Sequence, residues 1–403
     1  MKKTICELFA GVGGFRLGFE KLQSGWETVW FSQYEPSKKS QWAHRCYVEH
    51  FGDSPDLYNN FTTNKDIAEV DKNAIPEHTL LVGGFPCQDY SVAQGLNTSK
   101  GIEGKKGVLW WQIRNVLIAK QAPFCLFENV DRLLKSPANQ RGRDFGVMLA
   151  CLNELGYNVE WRVVNAAVYG AAQRRRRVFI FAYHNSTKYA QRLKNEASEA
   201  IIEENGLMVK AFPIKAHTAF KSINIPTDIL EASNNFKFDF LNSGCMIDGK
   251  VVTCKITELE DKPILLGEIL EENVKEDYYI TEEKLPKWEY LKGGKKIERT
   301  AKNGHRYIYS EGPVGFPDAL DKPGRTMLTS EGTINRSSHA IKDKTGRIRI
   351  ITPIEAERLQ GFDDDWTKIM PEKMRYFCMG NALVVPMITR MGKILDDIIS
   401  KEE

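Results

Sequence analysis

Long apolar runs and cysteine motifs are what this sequence lacks. No stretch of about 18 apolar residues occurs in its 403 residues, so no transmembrane helix is expected. Glu7 and Arg16 interrupt the apolar segment that a signal peptide would need. The eight cysteines contain no Cys-x-x-Cys pair and no regular framework, which argues against a zinc site or a disulfide scaffold. We therefore expect a soluble cytoplasmic protein with reduced thiols and no bound metal.

A strong net charge is also lacking, because the total is only +3. The distribution of charge is more informative than the total. Residues 256–283 carry ten acidic residues against two lysines, and residues 286–349 carry 14 Lys and Arg against seven acidic residues. The basic segment is also rich in glycine and aromatic residues, as a surface that follows DNA or RNA phosphates would be. A solvated charged surface explains the same composition, so this observation only supports other arguments.

Short apolar runs alternate with helical patterns from residue 1 to about residue 185. Such alternation predicts βαβ units and a mainly parallel sheet. From about 186 to 345 the pattern breaks into short segments, which predicts a second, irregular domain. A capping box at Thr352–Glu355 opens a helix through Leu359, and an apolar stripe predicts a terminal helix over 385–399. The predicted strands are 4–9, 28–32, 80–82, 124–127, 159–164 and 178–183, and the predicted helices before residue 186 are 15–23, 39–51, 108–120 and 144–155.

A glycine-rich turn, Phe9-Ala10-Gly11-Val12-Gly13-Gly14, joins the first strand to the first helix. Small residues there allow a cofactor to approach the backbone, although a tight turn alone explains them equally well. The third glycine of the dinucleotide fingerprint is missing, which disfavours nicotinamide cofactors and suits S-adenosylmethionine, since it has no phosphates. Glu35 follows the next strand, where an acid can bind ribose hydroxyls. Asp66 and Ile67 could meet the adenine, although a lone Asp in a turn is common.

Cys87 follows an apolar strand that ends in Gly83-Gly84-Phe85-Pro86. A single cysteine is often only a small buried hydrophobe. The stiff lead-in and the polar, glycine-rich segment 88–107 instead favour a nucleophile beneath a mobile lid. Glu128 ends the next strand, where it could protonate a ring nitrogen or merely cap a helix.

The run Gln173-Arg174-Arg175-Arg176-Arg177 leads directly into a predicted strand. Arginine runs usually form solvated tails. Strand alternation would place Gln173, Arg175 and Arg177 on one face. Burying these side chains is costly unless carboxylates, phosphates or the edge of a base pair with the guanidinium groups.

Seven motifs together resemble the ordered motif set of the DNA (cytosine-5) methyltransferases. The resemblance covers residues 1–183 and about 326–395. The sequence departs from the family pattern at Tyr90, where Phe is usual, and at Pro36, where an aromatic residue often stacks on adenine. The motifs are Phe9–Gly14, Glu35, Pro86-Cys87-Gln88, Glu128-Asn129-Val130, Gln173-x-Arg175-x-Arg177, Arg358-Leu359-Gln360-Gly361-Phe362 and Gly380-Asn381 with Val385-Pro386.

The resemblance implies an α/β fold with a Rossmann-like methyltransferase sheet and a smaller, irregular target recognition domain. Residues 1–185 and 376–403 would form the catalytic domain, and residues 186–375 the recognition domain and hinge. Cys87 would add to C6 of a flipped-out cytosine while Glu128 protonates N3. Arg175 would contact O2 and lower the pKa of the thiol, and Arg177 would order the carboxylate or the lid.

The same resemblance implies a cofactor, S-adenosylmethionine, and a duplex DNA substrate. We expect a monomeric, nucleoid-associated prokaryotic enzyme, with a separate restriction endonuclease as a potential partner. Residues 326–339 look like those of CpG-specific enzymes, which favours CG as the target. A tRNA methyltransferase of the same fold and a catalytically silent DNA-binding regulator are the alternatives. The expected cofactor residues are Phe9, Gly11, Gly13, Gly14, Glu35, Asp66, Ile67, Pro86, Leu109 and Asn381, and the expected DNA contacts are Gln88, Ser91, Gln173, Arg325, Thr329, Ser330, Asn335 and Arg336.

Overall fold

A computed structural model describes residues 1–85, 109–300 and 304–402. The chain divides into two compact units. Unit 1 comprises Met1–Tyr169, Arg176–Asp261 and Leu383–Glu403, and unit 2 comprises Gly170–Arg175 and Lys262–Ala382. Among the described residues, no helix is both long and apolar enough to span a membrane.

Unit 1 is built on a nine-stranded sheet. The strands of this unit are β1 (Thr4–Leu8), β2 (Glu27–Ser32), β3 (Leu80–Gly84), β4 (Phe124–Val130), β5 (Tyr157–Asn165), β6 (Arg176–His184), β7 (Ile214–His217), β8 (Lys221–Asn224), β9 (Ser243–Ile247), β10 (Lys250–Cys254) and β11 (Ile256–Glu258). The strand order of the large sheet is β2-β1-β3-β4-β6-β5-β9-β10-β8, and β7 and β11 form a separate pair. The helices are α1 (Gly14–Glu20), α2 (Trp42–Phe51), α3 (Leu109–Lys120), α4 (Arg143–Glu154), α5 (Lys188–Leu193), α6 (Ser198–Ala200), α7 (Leu207–Ala211), α8 (Ile229–Asn235) and, at the C-terminal end, α12 (Val385–Ser400).

The mainly parallel sheet predicted for residues 1–185 is confirmed for its first four strands and not for β5 and β6. Strands β1, β2, β3 and β4 pair in parallel, but the five remaining pairings of the sheet are antiparallel. Strand β6 runs against β4 because it returns from β5 through a short connection without a crossover helix. The β9–β10 hairpin turns at Asp248 and Gly249, which both have positive φ, as an Asp-Gly hairpin turn requires.

The six predicted strands and four predicted helices before residue 186 are confirmed, with described boundaries within three residues of those expected. Residues 186–261, which the sequence pattern assigns to the irregular domain, lie in unit 1 and supply three strands of the large sheet. The predicted functional division at residues 185 and 375 stays a prediction. The apolar stripe of α12 packs on α1, where a Cβ at Gly18 would lie 2.6 Å from Ile388 Cβ.

The core of unit 1 lies on the sheet faces between the strands and α3, α4 and α8. Consecutive residues of β3, β4 and β6 are apolar, so these strands present apolar side chains on both faces of the sheet. Four tryptophans belong to this core, of which Trp30, Trp110 and Trp161 are fully buried and Trp111 is slightly exposed. A rigid sheet is therefore available to hold groups at the ends of its strands.

Unit 2 has shorter elements. The capping box at Thr352 is confirmed, since Glu355 N donates to Thr352 Oγ1 at 3.2 Å and Thr352 N donates to Glu355 Oε2 at 2.8 Å. The buried Glu355 also forms an ion pair with Arg349 at 2.6 Å. Its strands are β12 (Lys295–Thr300), β13 (Arg306–Glu311), β14 (Ala340–Lys342) and β15 (Ile348–Ile350), and its helices are α9 (Leu285–Lys292), α10 (Pro353–Gln360) and α11 (Glu372–Asn381).

Candidate active site

The glycine-rich turn after β1 is held in a left-handed backbone conformation. Phe9 has a φ of 56°, Gly11 of 59° and Gly13 of 86°. Gly11 N donates to the side chain of Gln33 at 2.7 Å, which ties the turn to the end of β2. A bulky residue with positive φ, such as Phe9, is rare and marks a strained position that the surrounding structure must enforce.

The two central glycines of this turn have different surroundings. A Cβ at Gly13 would lie 2.4 Å from Phe51 Cε2, so Gly13 permits close packing of the turn on α2. A Cβ at Gly11 would meet nothing within 4 Å. Gly11 is therefore the position where a ligand can approach the backbone, and Gly13 is explained by packing. Gly14 begins α1 and is buried.

Glu35 lies just beyond β2 with an acceptor atom that is not satisfied. Its backbone is fixed by Gln41, whose side-chain oxygen accepts from Glu35 N at 2.8 Å and whose amide donates to Glu35 O at 2.9 Å. The side chain is half-buried, and its Oε2 has no hydrogen-bond partner among the described residues. Burial raises the pKa of Glu35, and Lys38 lowers it in part. A buried carboxylate oxygen without a donor fits a ribose hydroxyl.

Four other predicted cofactor residues have surroundings that do not by themselves indicate a cofactor contact. Asp66 caps a short 3-10 helix by accepting from Ala68 N at 2.9 Å. Ile67 is buried in the core, and Leu109 begins α3 and packs against the same core. Asn381 ends α11 in unit 2. Their contact with a cofactor stays a prediction.

Glu128 and Arg177 meet at one edge of the unit 1 sheet. Arg177 Nε lies 2.9 Å from Glu128 Oε1, and both side chains are mostly buried. Glu128 on β4 lies opposite Gly84 at the end of β3, where a Cβ would be 3.4 Å from Glu128 Oε2. The antiparallel register of β4 and β6 therefore delivers a carboxylate and a guanidinium to the edge at which β3 ends.

Asn129 is a site residue whose own role could not be predicted from the sequence. Its side chain is buried and donates to the Phe85 carbonyl at 2.8 Å, while its oxygen accepts from Val130 N at 2.8 Å. It therefore fixes the chain immediately before Pro86 and Cys87. The available signal was its position between the predicted acid and the end of a strand.

Pro86, Cys87, Gln88 and Ser91, and the predicted lid 88–107, lie outside the described residues. The seven described cysteines are all buried. Burial is the main cause that raises the pKa of Cys151 to about 12 and of Cys254 to about 11, and it also raises the pKa values of Cys6, Cys125 and Cys245. Buried thiols of this kind are poor nucleophiles.

The arginine run shows the predicted alternation of burial. Gln173 and Arg175 are buried, whereas Arg174 and Arg176 are exposed. Arg175 and Gln173 belong to unit 2, where the Arg175 terminal nitrogens donate to the Met327 and Gly380 carbonyls at 3.0 Å each. Gln173 accepts from Met327 N at 2.8 Å.

The described residues that were predicted to contact DNA differ in availability. Thr329 and Ser330 are exposed. Arg325 forms a bidentate ion pair with Asp318, and Asn335 and Arg336 also use their side chains within unit 2. No described contact supports a DNA-binding role for the buried Gln173. The DNA contacts predicted for these six described residues, Gln173, Arg325, Thr329, Ser330, Asn335 and Arg336, stay predictions.

Known proteins of one family resemble this chain over most of its length. The family model for C-5 cytosine-specific DNA methylases matches residues 3–396. This chain belongs to that family. The methylase is 52% identical over 405 residues to the type II methyltransferase M.Sau3AI of Staphylococcus aureus, covering 99% of this chain and 97% of that protein. It is 26% identical to M.SsoII of Shigella sonnei, covering 96% and 78% of the two chains.

Solved structures share the fold of the methylase. A methyltransferase of Entamoeba histolytica, EhMeth, has a TM-score of 0.59 at 13% identity and covers 100% of this chain and 99% of its own. The Dnmt2 methyltransferase of S. pombe has a TM-score of 0.58 at 13% identity and covers 99% of each chain. The methyltransferase fold and the assignment as a DNA (cytosine-5) methyltransferase are therefore confirmed.

Proposed function

We propose that this methylase transfers a methyl group from S-adenosylmethionine to C5 of a flipped-out cytosine in a specific duplex sequence, through a covalent Cys87–C6 bond. The observation that most supports the proposal is the Glu128–Arg177 ion pair at the edge where β3 leads towards Cys87. A thiol, a carboxyl group and a guanidinium are the groups that activation of a pyrimidine ring needs.

The chemistry follows from the weakness of C5 as a nucleophile. The Cys87 thiolate adds to C6 while the Glu128 carboxyl passes a proton to N3, which makes C5 electron-rich. Bound S-adenosylmethionine would supply the methyl group that is transferred to C5. The product of that transfer would be S-adenosylhomocysteine. Loss of the C5 proton to a base and elimination of the Cys87 thiolate restore the ring, and N3 returns its proton to Glu128.

Arg177 stabilises the Glu128 carboxylate during the interval in which N3 holds the proton. Its Nε lies 2.9 Å from Glu128 Oε1, a distance typical of a charge-assisted hydrogen bond. The sequence resemblance implied that Arg175 contacts O2 of the cytosine. Because both terminal nitrogens of Arg175 donate to backbone carbonyls of unit 2, we place Arg177 closer to the ring.

The described residues fit the nucleoside part of S-adenosylmethionine. The unsatisfied Glu35 Oε2 would accept from the ribose, and the open backbone at Gly11 would allow the cofactor to approach the turn. Glu35→Ala should therefore weaken cofactor binding about 10- to 100-fold, since a hydrogen bond to a charged group is lost. The matched control is Glu27→Ala, which removes an exposed acid at the start of β2. Calorimetric titration measures both, and an unchanged affinity in Glu35→Ala would remove Glu35 from the site.

The DNA substrate must release its target base, because neither ring face is accessible inside a duplex. We assign target recognition to the irregular segment within 186–375 and catalysis to 1–185 and 376–403. The expected CG target rests on residues 326–339, several of whose side chains bond within unit 2. Bisulfite sequencing of a randomised duplex library treated with the enzyme would identify the target without assuming CG.

The biological setting follows from the named relatives. M.Sau3AI and M.SsoII are type II methyltransferases, which supports a place in a restriction-modification system with a separate endonuclease. We propose that the enzyme acts as a monomer on duplex DNA in a prokaryotic cytoplasm. Sedimentation with and without a duplex oligonucleotide measures the stoichiometry.

The activity is tested by transfer of labelled methyl groups to duplex DNA, with tRNA as a parallel substrate. Cys87→Ser and Glu128→Gln should retain DNA and cofactor binding and lose methyl transfer by at least about 100-fold. Cys254→Ser, a change of the same kind at a buried cysteine of β10, is the control. Normal turnover by Cys87→Ser, or transfer to tRNA alone, would refute the proposal.

A further inference from the structure

Strands β12 and β13 form an exposed two-stranded ribbon in unit 2. They pair antiparallel from Lys295 opposite Glu311 to Thr300 opposite Arg306, in a sheet of their own. Most of their residues are exposed, and Ile308 is 70% exposed. A two-stranded hairpin is only marginally stable by itself, so this ribbon needs support from its base.

The two faces of the ribbon are not equivalent. On one face, cations stack on rings: Arg299 Cζ lies 3.8 Å from the Tyr309 ring centroid, and Lys295 Nζ lies 4.4 Å from that of Tyr290. These contacts engage the two cations of that face within unit 2, while Ile297 and Tyr307 on the same face stay exposed.

The opposite face is made of side chains whose charges and apolar surface are unmatched. Strand alternation places Lys296, Glu298 and Thr300 there, with Arg306, Ile308 and Ser310 across from them. Within the described part of the chain, the Lys296 and Arg306 side chains make no hydrogen bond or ion pair. The face thus exposes two cations on either side of Ile308 and one acid, Glu298, directly opposite it, and its net positive charge suits a polyanion with apolar groups.

Arg336 supports the base of this ribbon. Its NH1 donates to the Leu291 carbonyl at 2.9 Å and to the Gly293 carbonyl at 3.1 Å, just before β12. Its NH2 donates to the Gly312 carbonyl, just after β13. One guanidinium therefore joins both ends of the ribbon.

The loop that carries Arg336 is itself fixed. Asn335 donates to the Ser330 carbonyl at 2.8 Å and accepts from Ser337 N at 2.7 Å. Arg325 donates to the Ser337 and Ser338 carbonyls at 3.1 and 3.0 Å. The side chains that sequence reasoning assigned to base contacts thus hold the loop on which the ribbon stands.

We infer that β12 and β13 are the groove-reading element of this methylase, that the face with Lys296, Arg306 and Ile308 contacts duplex DNA, and that Arg336 is a positioning residue. The inference rests on the proposed DNA substrate. The major groove admits a two-stranded ribbon, cations contact phosphates or guanine, and an apolar side chain can contact the thymine methyl group. The ribbon carries four Lys and Arg against two acidic residues in its described strands, which complements DNA.

The first experiment measures duplex affinity as a function of salt. Arg306→Ala should weaken binding and reduce the slope of log Kd against log salt by about one, because one phosphate contact is lost. Lys344→Ala, which removes an exposed cation of unit 2 that pairs with Glu272 at 3.4 Å, should leave the slope unchanged. Equal slopes in the wild type and Arg306→Ala would overturn the contact.

The second experiment measures sequence preference on a randomised duplex library. Ile308→Ala should reduce discrimination at one or more positions of the target by about tenfold, with methyl transfer at saturating DNA retained. Ile334→Ala, an exposed apolar residue of the supporting loop, is the control. An unchanged target profile in Ile308→Ala would contradict the assignment. A ribbon that binds a protein instead of DNA would give this result.

Arg336 separates positioning from contact. Arg336→Ala should reduce target discrimination and raise KM for DNA, while the salt slope and kcat stay at wild-type values. A slope reduced by about one would show that Arg336 itself contacts phosphate and would overturn the positioning role. Failure of the wild-type enzyme to methylate duplex DNA would refute the proposed function, whereas wild-type behaviour of all ribbon variants would refute only this inference.

Discussion

Replacing Glu7 with Gln should alter how the stability of unit 1 depends on pH. Glu7 lies on β1, is fully buried, and accepts a hydrogen bond from the Tyr47 hydroxyl at 3.0 Å. Burial raises its pKa from 4.5 to about 8, although the bond from Tyr47 and the charge of Arg16 favour the ionised form. The folded chain therefore holds a proton on Glu7 that the unfolded chain releases.

The sign follows from this raised pKa. The contribution of Glu7 to stability is fully present below pH 4.5 and is lost as the pH rises towards 8, because the unfolded state is then the one that ionises freely. One pKa unit corresponds to about 1.4 kcal/mol, so the loss amounts to about 3 kcal/mol at pH 7 and approaches about 5 kcal/mol above pH 8. Gln at position 7 does not ionise, so the free energy of unfolding of Glu7→Gln relative to that of the wild type should rise by these amounts as the pH rises.

Urea unfolding at pH 5, 7 and 8.5 measures the difference. Samples equilibrated at each pH receive a deuterium pulse at one fixed pH, and mass spectrometry reports the unfolded fraction of the β1 peptide. Glu27→Gln, at an exposed acid on β2, makes the same change of charge and serves as control. The reasoning is refuted if the difference in free energy of unfolding between Glu7→Gln and the wild type is the same at all three pH values, or if the wild type gains stability over Glu7→Gln as the pH rises.

Two further contrasts test the site. Gly13→Ala should destabilise unit 1 by about 2–4 kcal/mol, because Gly13 has a positive φ and its added Cβ would clash with α2. Gly11→Ala should cost only about 1 kcal/mol of backbone strain, but it should weaken S-adenosylmethionine binding at least tenfold. Urea unfolding and calorimetry separate these effects, and wild-type cofactor affinity in Gly11→Ala would contradict them. Arg177→Ala should lower kcat for methyl transfer about 100-fold by leaving Glu128 unpaired, and the exposed Arg176→Ala should stay within about twofold; equal losses in both would show a general charge effect.

Local pattern was sufficient for the first half of the sheet. Each strand before residue 186 is a short apolar run between turns, and each adjoining helix has its own periodicity, so neither depends on distant partners. The alternating burial of residues 173–177 also followed from strand geometry, because a period of two is a property of the backbone.

Long-range pairing was beyond such reasoning. The sequence does not encode locally that β9 pairs with β5, about 80 residues earlier in the chain, and the Asp248-Gly249 hairpin signal lay within a segment too irregular to suggest part of a large sheet. The same limit applies to Arg177. Its meeting with Glu128 depends on the β4–β6 register, in which Val130 and Arg177 are opposite.

Residue type predicts what a side chain can bond to, but not which partner it has. Arg325, Asn335 and Arg336 have the donors that base recognition requires, and in unit 2 the same donors hold backbone carbonyls. Conversely, the exposed Ile308 would attract no attention as a sequence feature, because its significance lies in the strand face that it shares with Arg306.

A duplex with 5-fluorocytosine at the target position tests the central claim most directly, since fluorine at C5 blocks the final elimination. Incubated with S-adenosylmethionine, the wild-type enzyme should form a stable adduct, and peptide mass spectrometry should place the nucleotide on Cys87, with little adduct in Glu128→Gln. An adduct on another residue, or none from an enzyme that methylates the ordinary duplex, would contradict the account.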